Sequence, residues 1–238
     1  MSMRRVRAIY LKEMREYRRN KQIIATMSFS PIGFIIFPVI FLFSVNASDV
    51  SILYDYPVQV FSLAVAAVLP SIIGGYSIVG EREQGTLEPL LGTPIRTEEL
   101  ILGKALTIVV AAGAWSYLIF GVLDAAVWLF RPAAVSSVEL RPSILLTQLI
   151  STPLLVILST WISMLISARA RDSRVAGQLA LVVSLPVIAA VILIGVDVIQ
   201  FTAPVVIVLG AALVVLDVAG WPLVSKTFNR ERLVLGTR

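Results

Sequence analysis

The chain has 238 residues, of which 58% are apolar and only 15% charged, against about a quarter charged in an ordinary soluble domain. A fold surrounded by water could not hide that much apolar surface, so lipid is the solvent for much of the chain. There is no cysteine and no histidine, and the net charge is +5; this excludes disulfides, thiol nucleophiles, Cys/His metal sites and a Ser-His-Asp triad.

Residues 3–21 read as a basic amphipathic helix. Met3, Val6, Tyr10, Met14 and Tyr17 recur at spacings of three and four on one face, and Arg4, Arg5 and Arg7 are among the cations that fill the rest. Such a helix suits the membrane interface. It serves either as an anchor on anionic lipid or as a docking surface for a cytoplasmic partner, and the two roles are compatible.

Six apolar runs follow, each near the roughly 20 residues needed to cross a bilayer as a helix. They cover residues 23–45, 58–80, 104–130, 143–168, 175–196 and 202–225. Helices are expected because each backbone polar group must be satisfied inside its own segment. Alternating strands of about ten residues, the mark of a membrane barrel, are absent from the pattern. Pro31, Pro38, Pro70, Pro153, Pro186 and Pro222 lie within the spans as expected kinks; Pro186 sits mid-span, where a kink serves a gate or plain packing.

Orientation follows from Lys and Arg. Eight precede the first span, three sit in each of the loops after the second and fourth spans, and four lie in the tail at 226–238. Only Arg131 and Arg141 fall on the other side. The positive-inside rule makes the crowded side cytoplasmic, with both termini there. Cations placed beside spans serve topology, so nucleic acid is not an expected partner.

The loop at 81–103 is the most informative segment. Gly85 breaks the preceding helix, Thr86 suits an N-cap, and Glu88 suits the first turn of a new one. Pro89 is early enough to be tolerated, and Gly92 and Pro94 end the helix. Leu87, Leu90 and Leu91 share one side of it. That side packs on the protein's own helix ends or plugs into a groove on another subunit. Thr97 is expected to cap the next helix, with Glu98 and Glu99 in its first turn.

At this loop the sequence resembles the ABC-2-type transporter permeases. The resemblance rests on Glu81-Arg82-Glu83, then Gly85-Thr86-Leu87-Glu88, Leu90-Leu91, Thr93-Pro94 and Gly103-Lys104, in order and between the second and third spans. The six-span plan and the basic N-terminal helix extend it along the chain. It implies an all-α integral membrane protein forming a single transmembrane domain. It also implies an N-terminal interfacial elbow helix and a short cytoplasmic coupling helix within residues 81–94. The permease would work as a dimer, with a second copy or a paralogue, in the plasma membrane. A separate cytoplasmic ABC ATPase would bind ATP and Mg and drive export. The short connection at 197–201 departs from larger members of that family, which carry an external domain there. No Gly-x4-Gly-Lys-Ser/Thr run occurs in these residues, so the chain itself is not expected to be an enzyme or to hold a cofactor.

Buried polar residues mark the remaining candidates. Asp217 lies about 14 residues into the sixth span and should face the bundle or a watery path. It is either a cation or substrate contact or a hydrogen-bond partner of a neighbouring helix. Gln148, Thr152, Ser159, Ser163 and Ser167 share a face of the fourth span, and that face should pack on helices rather than lipid. Ala67, Ser71 and Gly75 form a small-residue stripe on the second span. Two other function classes stay open: a transporter driven by an ion gradient, and a non-transport membrane scaffold.

Overall fold

The computed structural model describes residues 1–46, 48–55, 61–87, 89, 92–93, 95–170, 172–195 and 203–228. The expected features at Glu88, Leu90, Leu91, Pro94 and residues 196–202, and most of the 226–238 tail, lie outside them. Among the described residues every regular element is a helix.

Six helical stretches are long and apolar enough to cross a membrane. The first joins α2 (Lys21–Phe29) to α3 (Ile32–Ser44), with a break at Ser30-Pro31. The second joins α5 (Ser62–Tyr76) to α6 (Val79–Glu83). The others are α7 (Thr97–Phe130), α9 (Pro142–Arg169), α10 (Ser173–Gly195) and α11 (Ala203–Thr227). Preceding them is α1 (Met3–Arg19); the short helices α4 (Ile52–Asp55) and α8 (Ala133–Glu139) lie in the connections between spans.

The second span is the centre. Its most apolar window is 83% buried, against 11% for the sixth span and 18% for the first. It packs chiefly on α9 and α10, then on α7. The small-residue stripe makes this possible. Ser71 and Ser184 of α10 share a hydrogen bond of 2.5 Å, and a side chain at Gly75 would meet the Gly177 backbone at 2.9 Å. The polar face of α9 packs inward, as expected: Gln148, Thr152, Ser159, Ser163 and Ser167 are all buried. Ser163 donates to the Thr160 carbonyl and abuts Gly74. Ser167 accepts from the backbone N–H groups of Ile78 and Val79, where α5 gives way to α6.

Pro153 sits inside α9 and has no N–H to offer the Leu149 carbonyl. The phenol of Tyr117 on α7 donates to that carbonyl instead, at 2.8 Å. Tyr117→Phe is therefore expected to destabilise the wild type by roughly 0.5–1.5 kcal/mol. In a Pro153→Ala background the restored helix N–H takes over, and the same change should cost much less. A double-mutant cycle on detergent melting curves measures the difference.

On the side away from the 81–103 loop, a second apolar cluster joins Leu42, Leu53, Leu123, Val127, Val135 and Val138. Arg131 donates to the Val45 carbonyl and lies 5.6 Å over the Phe43 ring. Glu139 is fully buried here, and neither carboxylate oxygen has a hydrogen-bond partner among the described residues. Burial pushes its carboxyl up to about 8; Arg141 opposes that rise and Asp124 adds to it. The folded chain thus holds a proton that the unfolded chain releases near 4.5. Its stabilising effect is complete below that value and is lost as pH rises through about 8. Melting temperature should fall as pH rises from 4.5 to about 8 and then level off, and Glu139→Gln should flatten that part of the profile.

Candidate functional site

The structure gathers the 81–103 loop, α1 and the near ends of four spans into one polar junction. Its base is the close crossing of α1 over α7. A Cβ at Gly103 would stand 2.6 Å from Ile9 Cγ2 and 2.7 Å from Ile9 Cβ, so only glycine lets the two backbones approach this far. Val6, Ile9 and Glu13 are the buried residues of α1.

One turn beyond Ile9, the buried ammonium of Lys104 bridges two carboxylates. It stands 3.1 Å from Glu13 Oε1 and 3.0 Å from Glu81 Oε1. Half-exposed Lys12 reaches Glu13 and Glu81 at 3.3 Å each and Glu16 at 3.4 Å. Burial lowers the Lys12 pKa, but Glu13, Glu81 and Glu16 outweigh it and hold the ammonium above its ordinary range. The Lys104 pairs are almost wholly desolvated and so carry far more weight than the Lys12 pairs.

Glu99 ties the other end of α1. It accepts from the backbone N–H of Ser2 at 2.6 Å and of Arg96 at 3.1 Å, and pairs with Arg5 at 3.5 Å. A single carboxylate thereby serves the first turns of two helices, where anions are favoured. This corrects the expected cap: Arg96 occupies the cap position of α7 and Thr97 is its first helical residue. The helix starts a full two turns before residue 104 because that extension carries α1.

The three residues of the Glu-Arg-Glu run point to three different elements. Glu81 faces Lys104 and Lys12. Arg82 donates to the Ala170 carbonyl at the end of α9. Glu83 accepts from the Ser173 N–H at the start of α10, at 2.9 Å. Beyond them α6 ends in a Schellman turn: Thr86 N–H bonds Glu81 O, Gly85 N–H bonds Arg82 O, and Gly85 has φ +67°. The Thr86 hydroxyl also bonds back to Glu81 O. Leu87 and Pro89 are helical, and Gly92 and Thr93 form a turn and bend before α7.

Leu87 is 1% exposed and belongs to the main core, so it takes the first of the two expected alternatives and packs on the protein's own helices. On α1 the expected face is corrected in part: Val6 is buried but Met3 is exposed, and the packed face runs from Val6 through Ile9 and Glu13, with Tyr10, Met14 and Tyr17 partly covered. Arg4, Arg5 and Arg7 are exposed, as expected. Asp217 and Ser159 lie away from this junction, each with carboxylate or hydroxyl oxygens lacking a partner among the described residues. Glu13, Lys12 and Glu99 were missed as site residues. The available signal was the pair of acids, Glu13 and Glu16, within a helix whose other charges are all basic.

No curated protein matches the chain. Residues 7–217 match the family described as ABC-2 family transporter protein, a stretch that takes in most of α1, the Lys104 and Glu-Arg-Glu contacts, the first five spans and the first half of the sixth. The chain belongs to the ABC-2 family of transporter proteins, a family of multi-pass membrane transport components.

Proposed function

We propose that the chain is the permease subunit of an ABC exporter, and that a separate cytoplasmic ABC ATPase drives it. Two permease chains, identical or paralogous, form the translocation path in the plasma membrane with their termini in the cytoplasm. ATP and Mg belong to the ATPase, and residues 85–95 dock on it. The observation that carries this reading is the Glu81-Arg82-Glu83 junction. Through it, a push on the loop reaches α1 and α7 by Lys104, α9 by Ala170 and α10 by Ser173 at once. The Schellman turn makes α6 a stiff lever between the loop and these contacts. Ion-gradient transport and a scaffold role gain nothing from family membership, since neither needs such a junction beside a docking loop.

Purification from the native membrane in mild detergent tests the proposal. A P-loop ATPase should accompany the wild type and be lost in Leu90→Asp/Leu91→Asp. Leu87→Ala, a core change, should lower the melting temperature while the ATPase stays bound to the folded fraction. A permease that comes alone, and that no added ATPase joins, overturns the reading.

A further inference from the structure

A cavity of about 740 Å3 lies between α1 and the loop-side halves of the first, second and fifth spans. That volume is in the range of ligand sites, roughly 300–1,000 Å3. Its lining changes with depth. Ile72 and Ile73 sit about two helical turns, roughly 11 Å, on the bilayer side of Gly80. With Ile23 and the ring of Tyr76 they give an apolar floor at the level of the spans. Charged side chains ring the other end, level with the start of the 81–103 loop.

The charges fall into two sets. Glu13 and Glu81 are engaged by Lys104 and Lys12, and that inner set is closed. The rim is open. Arg19 and Arg174 have exposed heads, and neither has an ion-pair partner among the described residues. Exposed Glu16 and Glu83 share the rim; Glu16 pairs with Lys12 at 3.4 Å, and Glu83 accepts the Ser173 N–H. The carboxylates of Glu13, Glu16, Glu81 and Glu83 thus match the cations Lys12, Lys104, Arg19 and Arg174. A site that is neutral as a whole calls for no net charge on its occupant. What fits it carries both signs at one end and is apolar below.

We propose that this cavity binds a zwitterionic phospholipid with a primary ammonium, drawn from the leaflet on the side of the 81–103 loop. Its phosphate lies on Arg19 and Arg174, whose planar forks match phosphate oxygens. Its ammonium lies on Glu16 and Glu83. The glycerol backbone and the first methylenes lie over Ile72, Ile73 and Tyr76. The rim is exposed, so each head contact is weak and sets selectivity, while the apolar floor supplies most of the affinity. The proposal needs only that the chain crosses a bilayer, and it stands apart from ATPase pairing.

Native mass spectrometry of the full chain, stripped of lipid in mild detergent, reads the binding. Dioleoyl phosphatidylethanolamine is the probe, with the phosphatidylcholine and phosphatidylglycerol of the same chains for comparison. One phosphatidylethanolamine per chain should bind first, about fivefold tighter than either of the others. The choline head cannot donate hydrogen bonds to Glu16 and Glu83, and the glycerol head brings a negative charge with no counterpart. Arg19→Gln/Arg174→Gln removes two exposed charge contacts and should weaken both zwitterionic lipids by about fivefold. Glu16→Gln/Glu83→Gln should erase the preference for ethanolamine over choline. Gly80→Phe should abolish binding, because Gly80 lines the cavity and a Cβ there meets nothing within 4 Å. Melting curves establish that the variants fold; the arginine pair is exposed and keeps the test open if Gly80→Phe does not. Inorganic phosphate should not displace the lipid. The proposal fails if the three lipids bind equally, if phosphatidylglycerol binds tightest, if free phosphate displaces the lipid, or if the folded variants bind like wild type.

Discussion

Lys104→Met is expected to release α1 from the bundle and uncouple the 81–103 loop. The side chain is 2% exposed and stands between Glu13 and Glu81. Methionine keeps most of its volume, so packing loss is small and the electrostatic effect dominates. Two carboxylates then face each other with only half-exposed Lys12 to hold them. Removing one partner of a buried pair costs roughly 3–5 kcal/mol, and water reaching Glu81 brings this toward the lower figure. The loss should appear as a lower melting temperature and as faster amide exchange over residues 3–19. Lys104→Met combined with Glu13→Leu and Glu81→Gln removes all the buried charge together. Stability should largely return, because well-packed neutral replacements are often tolerated. Retention of the ATPase should not return, because the link from loop to α1 and α7 is gone. Wild-type melting and exchange in Lys104→Met would show that the bridge has no mechanical role.

The six spans were legible because lipid leaves little choice: a run of about 20 apolar residues crosses as a helix. The loop motif was legible too, since order and spacing survive in one dimension. Its mechanics were not. Glu81 and Lys104 lie in the same loop region, but their third partner, Glu13, is 91 positions from Lys104. No local periodicity connects them. The same limit explains Leu87. Spacing grouped it with Leu90 and Leu91, yet burial is decided by neighbours from other spans. Helix α8 escaped because Ala133–Glu139 is two turns long and half polar. Its stability comes from Leu123, Val127 and Leu53 beneath it, not from its own propensity. The helical start at Glu98 and Glu99 was legible from their charge, but its load was not, because α1, which it carries, is far away in sequence.

Gly103→Ala sets two opposing effects against each other. Alanine in place of glycine inside a helix is favourable by roughly 1 kcal/mol. At Gly113 and Gly121 on the same helix, a Cβ meets nothing within 4 Å, so Gly→Ala there should stabilise the chain by up to about that amount. At Gly103 the added atom meets Ile9 Cγ2 at 2.6 Å, Ile9 Cβ at 2.7 Å and the Val6 carbonyl at 3.3 Å. The last two are fixed to the α1 backbone, and Ile9 is stiff at χ1. No rotamer change relieves the contact, so α1 itself must move away and take Glu13 off Lys104. Overpacking of this kind costs roughly 1–3 kcal/mol, and the lost ion pair adds to it, so the clash wins. Ile9→Ala should fail to rescue Gly103→Ala, because alanine keeps the Cβ at 2.7 Å. Ile9→Gly removes both contacts and should restore part of the docking, read as slower exchange over residues 3–19. Rescue by Ile9→Ala equal to that by Ile9→Gly would mean that Cγ2 alone sets the approach. A stabilising Gly103→Ala would mean that α1 does not cross α7 at this point.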